Sequence, residues 1–409
     1  MRIAVFSNSF PVLSETFIIN QIVGLIKLGA KVDIISNETV SPKVMHSTVL
    51  EYSLLDKLRC IGIGSKKNKS HKFFISLLNS ITLVFTGRLK LLINVFFDKY
   101  LTVTQKLNLI SALKLLKNEK LIYDNVICHF GVNGYYLCKM RELGILEGRI
   151  STVFHGYEVS DYNVINKYLP QYKQLFIRGD LMLPISELWK GLLINWGCDE
   201  KKILVHRMGI DVNDFEFRNP ATPFSHALKV IQVGRLTDKK SILDSINAVV
   251  LASKRIDIEF IIIGDGELYL QAKRLIASLE ASSYIRLLGQ QPQSVVKQYL
   301  NDADVFLLPS VKAASGDMEG IPVALMEAMA KGLIALSTYH SGIPELIKHS
   351  VTGFLVNEHD INGLVNCLLN IQSLSKEDII DIRTRAREIC LTKYNNNTLN
   401  SDLLNIAHL

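Results

Sequence analysis

The fold of this chain can be worked out from one stretch, Glu319-Gly-Ile-Pro-Val-Ala-Leu-Met-Glu327. Pro322 suits the first position of a helix, Gly332 suits the position just past its end, and the residues between them are mostly strong helix formers. The sequence therefore predicts a helix from about Pro322 to Lys331. Apolar runs at 304–308 and 333–337 flank this helix and predict strands. Strand, helix and strand in this order form the repeating unit of a parallel sheet.

The same alternation of short apolar runs and helical patterns extends along the whole chain. In the first half it predicts strands at Ile3–Ser7, Lys31–Ser36, Asn125–Phe130, Ser151–His155 and Leu181–Pro184. In the second half it predicts strands at Lys229–Val233, Glu259–Ile263, Ile285–Leu288, Asp304–Leu308 and Leu333–Ser337. A polar, turn-rich stretch at 206–223 separates the two sets. We therefore expect an α/β protein with two doubly wound parallel sheets that face each other across a cleft.

These two sets of strands predict domains at residues 1–208 and 209–385, and a C-terminal helix at 386–409 that packs back on the first domain. A chain of 409 residues can form two such cores. Its six cysteines are too scattered for a zinc site or a disulfide framework. The chain begins with a strand pattern rather than a signal peptide, and no uncharged apolar run is long enough to span a bilayer. We therefore expect a cytoplasmic protein.

The net charge of +7 is concentrated in one segment. Between Lys57 and Lys120, thirteen Lys and Arg residues stand against two acids, and aliphatic and phenylalanine side chains alternate with them at helical spacing. This combination suits the surface of an anionic membrane, with the apolar face inserted. A pair of helices that faces the core and has a basic outer side is an equally good interpretation. Nucleic acid suits so aliphatic a segment less well, and we predict no nucleic-acid partner.

Ligands of open parallel sheets bind at the carboxyl ends of the strands, so the loops there are the place to look for a site. In the second half these loops contain glycines, which allow close turns, and two cations, and they lead to the start of the helix at Pro322. Cations and the free N–H groups of a helix start together suit a diphosphate. The residues that we expect to bind it are Gly234, Arg235, Lys240, Gly264, Gly266, Gly320, Ile321 and Val323.

Two other classes of protein are disfavoured. A Rossmann dehydrogenase needs Gly-x-Gly-x-x-Gly after a strand, and the chain has no such triplet. Asp302-Ala-Asp304 resembles the metal-binding Asp-x-Asp of another class of sugar transferases, but it leads directly into an apolar strand. We therefore interpret Asp302 as a helix end and Asp304 as the start of a strand. Histidines, cysteines and carboxylates do not cluster, so we expect no metal and no other cofactor.

The chain resembles the retaining glycosyltransferases of the GT-B fold, which have two facing Rossmann-like domains and include bacterial transferases of polysaccharide assembly. The resemblance spans nearly the whole chain and rests on Gly234-Arg-Leu236, Lys240, Gly264-Asp-Gly266, Gly289, Ala303–Ser310, the Glu319/Glu327 pair, Ser341-Gly-Ile-Pro-Glu345 and Gly353-Phe-Leu-Val356. The stretches Phe10–Phe17 and Gly316–Pro322 are most similar to the colanic acid and amylovoran transferases.

The resemblance implies a role for each site residue. Arg235 and Lys240 would hold the donor diphosphate, and Glu327 would accept the ribose hydroxyls. Glu319 would face the transferred sugar. His155 would approach that sugar near the reacting carbon, although from its position alone we would interpret it as a core imidazole.

The implied activity is the transfer, with retention, of a hexose from a UDP- or GDP-sugar to a lipid-linked oligosaccharide at the inner face of the cytoplasmic membrane. An epimerase of the same fold and a non-catalytic scaffold that binds sugar nucleotides remain alternatives. Many relatives have a Gly-Gly loop where this chain has Ser9–Thr16, so the roles of Ser14, Glu15 and Thr16 stay open. Ser241 stands where the family usually has glycine, which we expect to be tolerated.

Overall fold

The computed structural model describes residues 1–12, 15–40, 47–64, 69–116, 119–218, 224 and 227–408, so Ser14 lies outside the described residues. The chain forms two compact units. It passes from the first unit to the second after His206 and returns to the first at Asn400, and residues 160–163 also belong to the second unit.

The first unit contains a parallel sheet in the order β3-β2-β1-β4-β5-β6. Its strands are β1 (Arg2–Phe10), β2 (Lys31–Thr39), β3 (Leu58–Cys60), β4 (Leu121–His129), β5 (Leu146–Phe154) and β6 (Leu181–Pro184). The α-helices in the part of the chain before His206 are α1 (Thr16–Lys27), α2 (Ser47–Glu51), α3 (Lys69–Phe85), α4 (Leu89–Phe96), α5 (Val103–Leu115), α6 (Gly131–Glu142), α7 (Tyr157–Ser160), α8 (Tyr162–Arg178) and α9 (Glu187–Asn195). The central strands are apolar and buried because helices cover both faces of a parallel sheet.

The second unit contains a parallel sheet in the order β12-β11-β10-β7-β8-β9. Its strands are β7 (Leu228–Val233), β8 (Ile258–Ile263), β9 (Ile285–Leu287), β10 (Val305–Leu308), β11 (Ile334–Thr338) and β12 (Phe354–Val356). The remaining helices are α10 (Ile242–Ala252), α11 (Tyr269–Ser278), α12 (Gln293–Asp302), α13 (Val323–Lys331), α14 (Ile343–Leu346), α15 (Ile361–Gln372), α16 (Lys376–Lys393) and α17 (Asn396–His408). In this sheet β7 and β10 are parallel neighbours, and the strand order reverses between them, so ligands are expected at their carboxyl ends.

The predicted fold class, two doubly wound Rossmann-like sheets, is confirmed. The edge strands β3 and β12, of three residues each, are missing from the prediction, whereas β9, which is equally short, was predicted. Asp302 ends α12, and the Asp304 carboxylate accepts the Lys229 N–H at the start of the sheet, so the interpretation of both residues is confirmed.

The C-terminal segment 386–409 is divided between two helices rather than forming one. Ala386, Cys390 and Tyr394 are buried in the core of the second unit, in the same cluster as Met326 and Met329 of α13. This part of the segment therefore stays with the second unit, and only the chain from Asn400 onward belongs to the first.

The described part of the basic segment contains α3, α4 and α5. Helix α3 has its polarity largely reversed, because Ser76 and Asn79 are buried while most of its apolar side chains, though not Leu83, are exposed. The exposed apolar residues of α3, α4 and the turn after α4 are Phe73, Phe74, Leu77, Leu78, Ile81, Val84, Phe85, Leu89, Ile93, Phe96 and Phe97. The interpretation as a helical pair with a basic outer side is therefore wrong for α3. None of the helices in the described ranges combines the length and apolar composition needed to cross a bilayer.

Candidate functional site

A cavity of about 520 Å³ opens at the carboxyl ends of β7 and β8 in the second unit. Four of the predicted site residues, Gly234, Arg235, Gly264 and Gly266, line it. Gly264 has φ of 148°, and a Cβ at this position would lie 1.8 Å from the Gly234 carbonyl oxygen. Only glycine at position 264 therefore allows the loops after β7 and β8 to come into contact. Their backbone then forms a wall of the cavity that a phosphate can approach closely.

Arg235 is exposed at this cavity. Its guanidinium makes no hydrogen bond or ion pair with any residue that the structure describes. A guanidinium carries donors in a planar fork that matches phosphate oxygens, so Arg235 can bind an anion in the cavity without first breaking an internal contact.

Lys240 connects the cavity to the loop before α13. Its Cε atom lies 3.7 Å from the point where a Cβ of Gly234 would stand, and its Nζ lies 2.9 Å from Glu319 Oε1. At this distance Lys240 and Glu319 form a largely buried ion pair. The next residue, Ser241, has φ of 47°, a left-handed conformation that explains why glycine is usual at this position.

Glu319 is almost completely buried, with 9% of its surface exposed. Burial by itself would raise the pKa of this carboxyl, but the charges of Lys240 and Lys239 outweigh burial and hold the pKa below its ordinary value. Lys239 is itself paired with Asp317, 2.9 Å from its carboxylate. Glu319 is therefore a fixed, charged acceptor in a nearly dry position.

Helix α13 begins at Val323, with Pro322 as the residue before its first turn, and Gly332 ends it with φ of 91°. The helix predicted from about Pro322 is thus present, one residue shorter at its start. The backbone N–H groups of Gly320, Ile321 and Val323 have no acceptor among the described residues. They lie at the positive end of the helix dipole, where an anion is stabilised.

Glu327 projects from the second turn of α13. Burial raises the pKa of Glu327 to about 7, although the charge of Lys297 on α12 acts in the opposite direction. Val296, the residue before Lys297, lines the cavity. Glu327 is therefore a largely buried carboxyl group with no hydrogen bond to the described residues, which suits it to accept from hydroxyl groups of a ligand.

His155 follows β5 in the first unit. Its Nε2 lies 3.1 Å from His129 Nδ1, and His129 Nε2 lies 3.0 Å from Gln21 Oε1. Because an amide oxygen only accepts, His129 donates from Nε2, its Nδ1 accepts from His155, and the Nδ1 of His155 keeps its lone pair. Burial, followed by the neighbouring charge of His206, lowers the pKa of His155 to about 3, so this imidazole is neutral near pH 7.

Several residues that shape the site are absent from the sequence-based prediction. His129 and Gln21 orient His155, while His340 and Glu358 hold the loop that carries Glu319. One signal was available for His129, since it ends β4 just as His155 follows the neighbouring strand β5. The other three have no local signal, because their partners are distant in sequence. In the described ranges, no group of three or more His, Cys, Asp or Glu side chains could hold a metal ion.

Comparison with known proteins identifies the family of this chain. Residues 214–387 match the family model described as glycosyl transferases group 1. The chain is 37% identical over 407 residues to a putative colanic acid biosynthesis glycosyltransferase, WcaL, of Salmonella typhimurium, covering 99% of each chain. It is also 37% identical over 397 residues to the amylovoran biosynthesis glycosyltransferase AmsK of Erwinia amylovora, covering 97% of this chain and 96% of AmsK.

Among solved structures, the chain is similar to Anabaena HepE in complex with UDP-glucose. The TM-score is 0.70 at 16% sequence identity, and all of both chains is covered. At this identity the likeness supports the fold.

Proposed function

The chain belongs to the group 1 glycosyltransferases, and from this premise we propose that it moves a hexose from a nucleoside-diphosphate sugar to a lipid-linked oligosaccharide in bacterial exopolysaccharide synthesis, with retention of the anomeric configuration. The observation that carries the proposal is the convergence of Arg235, Lys240 and the free N–H groups before α13 on one side of the second sheet. The names of WcaL and AmsK support exopolysaccharide as the product.

The donor diphosphate would lie between the cavity and the start of α13. When the bond to the sugar breaks, negative charge develops on the departing phosphate, and fixed cations and N–H dipoles lower that barrier. Arg235 has no partner to lose among the described residues, and Lys240 would exchange part of its contact with Glu319 for a phosphate oxygen. The UDP-glucose bound to HepE, a protein of the same fold, supports a nucleotide sugar as donor.

The two carboxylates would bind opposite ends of this donor. Glu327, whose raised pKa reflects its burial without a hydrogen-bond donor, would accept from the ribose hydroxyls. The Glu319 carboxylate, which the Lys240 ammonium faces at 2.9 Å, would accept from a hydroxyl of the transferred sugar. In the first unit, His155 would offer its Nδ1 lone pair to a substrate hydroxyl. Retention would follow if the acceptor hydroxyl attacks from the face that the diphosphate leaves, and NMR of the product anomeric proton tests it.

The acceptor would be presented by a membrane surface that binds α3 and α4. The exposed side of α3 is apolar and its buried side contains polar residues. Contact of such an apolar side with water is unfavourable, and another apolar phase that covered it would remove this cost. Phe85 and Phe97 expose 86% and 83% of their surface. The excess of Lys and Arg in 57–120 makes an anionic bilayer the matching phase. A lipid-linked acceptor would reach the enzyme from that bilayer.

Binding of the nucleotide is tested by thermal unfolding with UDP and with GDP. A nucleotide at a hundred times its Kd stabilises the protein by about 2.7 kcal/mol. We expect Arg235→Ala to abolish most of this stabilisation and to lower turnover about a hundredfold. Arg274→Ala, an exposed arginine on α11 of the same unit, is the matched control. Normal binding and turnover by the Arg235 variant would refute the assignment. Formation of a new nucleotide sugar without acceptor would instead indicate an epimerase, and binding without turnover a scaffold.

Membrane binding is tested by sedimentation with vesicles of phosphatidylglycerol and phosphatidylethanolamine. Replacement of Phe85 and Phe97 by Ser is expected to weaken binding at least tenfold, because each ring would lose apolar burial. Ile177→Ser is the control, since Ile177 is 69% exposed in the same unit but outside the basic segment. Equal binding of both variants would contradict the proposal.

A further inference from the structure

We propose that His340 and Glu358 are positioning residues of this transferase, which orient the peptide of Glu319 toward the donor. The inference rests on the proposed function, because it assigns the pair to the loop that would meet the transferred sugar and diphosphate. Both residues act through this loop rather than through direct contact with substrate.

The two residues form a hydrogen-bonded chain that ends on the backbone. The Glu319 N–H donates to His340 Nε2 at 3.1 Å, and His340 Nδ1 lies 2.6 Å from Glu358 Oε1. The other carboxylate oxygen, Glu358 Oε2, accepts the Lys312 N–H at 2.9 Å. His340 is fully buried, so neither of its ring contacts can be replaced easily by water.

The direction of each hydrogen bond follows from the chemistry of the end groups. A backbone N–H only donates, so His340 Nε2 must be the unprotonated nitrogen. His340 Nδ1 then carries the proton and donates it to the carboxylate of Glu358, which only accepts when ionised. Glu358 therefore fixes the tautomer that leaves a lone pair on Nε2 for Glu319. A carboxylate that orients an imidazole in this way sets which nitrogen is available.

The hydrogen bonds of His340 and Glu358 hold both ends of the loop between Lys312 and Glu319. Glu358 takes the N–H at one end and His340 the N–H at the other, 2.9 Å and 3.1 Å away. The carbonyl of Glu319 is held as well, because Ser341 Oγ donates to it at 2.6 Å. With both polar groups of residue 319 fixed, the plane of the next peptide and the direction of the Gly320 N–H are fixed too.

The alternative is that the pair only satisfies buried polar groups and stabilises the second unit. The two explanations differ in what a variant should change. A purely structural pair would lower the unfolding temperature without changing the turnover of the folded enzyme. A positioning pair changes turnover much more than donor affinity, because small misplacements of catalytic groups reduce the rate steeply.

Four variants of the full chain separate these explanations. His340→Leu removes the acceptor for the Glu319 N–H, whereas His340→Gln keeps an amide oxygen that can accept it. Glu358→Gln keeps the size of the side chain but cannot fix the imidazole and accept the Lys312 N–H with two oxygens. His349→Leu is the matched control, because His349 Nδ1 accepts the Leu355 N–H at 3.1 Å in the same unit but outside the loop.

Turnover and KM are measured with whichever of UDP-glucose, UDP-galactose and GDP-mannose the wild type uses, and backbone hydrogen exchange is measured without ligand. We expect His340→Leu to lower kcat at least tenfold with KM changed less than threefold, and to speed exchange in peptides containing Glu319. His340→Gln should recover most of the turnover and the slow exchange, Glu358→Gln should lie between, and His349→Leu should keep the wild-type kcat.

Two results would overturn the inference. One is wild-type turnover and exchange in His340→Leu. The other is a loss of turnover in His340→Leu, His340→Gln and His349→Leu that simply follows the loss of stability of each variant. A wild-type protein that binds neither UDP nor GDP and uses none of the three donors would instead refute the proposed function, while the exchange comparison would still test the hold of His340 on Glu319.

Discussion

Replacing Lys240 by methionine tests both its contact with Glu319 and its proposed role in binding the donor diphosphate. Methionine keeps much of the length of lysine but removes the charge that faces Glu319 at 2.9 Å. Glu319 would then be a buried carboxylate that has lost its nearest cation, and the donor diphosphate would lose one of its two cations. The variant is therefore expected to lose both stability and turnover.

The size of the stability loss follows from burial. The side chains of Lys240 and Glu319 are 14% and 11% exposed, so the pair counts as buried. Removing one partner of such a pair typically costs about 3–5 kcal/mol. Lys239 remains near Glu319 and also lowers its pKa, so we expect the lower value, about 3 kcal/mol. For a unit of this size that corresponds to a decrease in Tm of roughly 6–12 °C.

A double variant then distinguishes stability from catalysis. Adding Glu319→Gln to Lys240→Met removes the unpaired charge, so we expect the double variant to regain most of the lost stability. Turnover should stay at least a hundredfold below the wild type in both variants. Urea unfolding followed by circular dichroism measures the first quantity, and release of nucleoside diphosphate measures the second. Wild-type stability in Lys240→Met, or wild-type turnover in the double variant, would refute the reasoning.

Two further predictions concern the other site carboxylate and the first unit. Burial raises the pKa of Glu327 from its ordinary value of 4.5 to about 7, so folding favours the protonated carboxyl. The stability that this group contributes is therefore lost as pH rises from about 4.5 through 7. Glu327→Gln should therefore be more stable than the wild type at pH 8, by on the order of 3 kcal/mol, and equally stable at pH 4. Its affinity for UDP or GDP should be weaker. Parallel pH profiles of the two proteins in urea unfolding would contradict the prediction on stability. His129→Leu removes the acceptor for His155 and should lower kcat about tenfold. Binding of UDP or GDP, which we propose for the second unit, should stay unchanged in thermal-shift measurements.

Much of the fold could be predicted from the sequence because its signals are local. A buried parallel strand is a short apolar run, and a helix shows its period and its ends within about ten residues. The strands around Val305 and Ile334 and the helix between them follow from such patterns, and so do the glycines at 234, 264 and 266. Strands of three residues are at the limit of this approach, since β9 was predicted whereas β3 and β12 were not.

The sequence by itself determined the class of protein and the loops where chemistry takes place, because these depend on the order of residues along the chain. The tertiary structure decided the state of each group. Glu319 is ionised although buried because Lys240 reaches it, whereas Glu327 titrates near pH 7 because no such cation does. His340 lies next to Glu319 and Glu358 only after the strands have paired. Charge, tautomer and exposure depend on neighbours in space, and folding alone sets those neighbours.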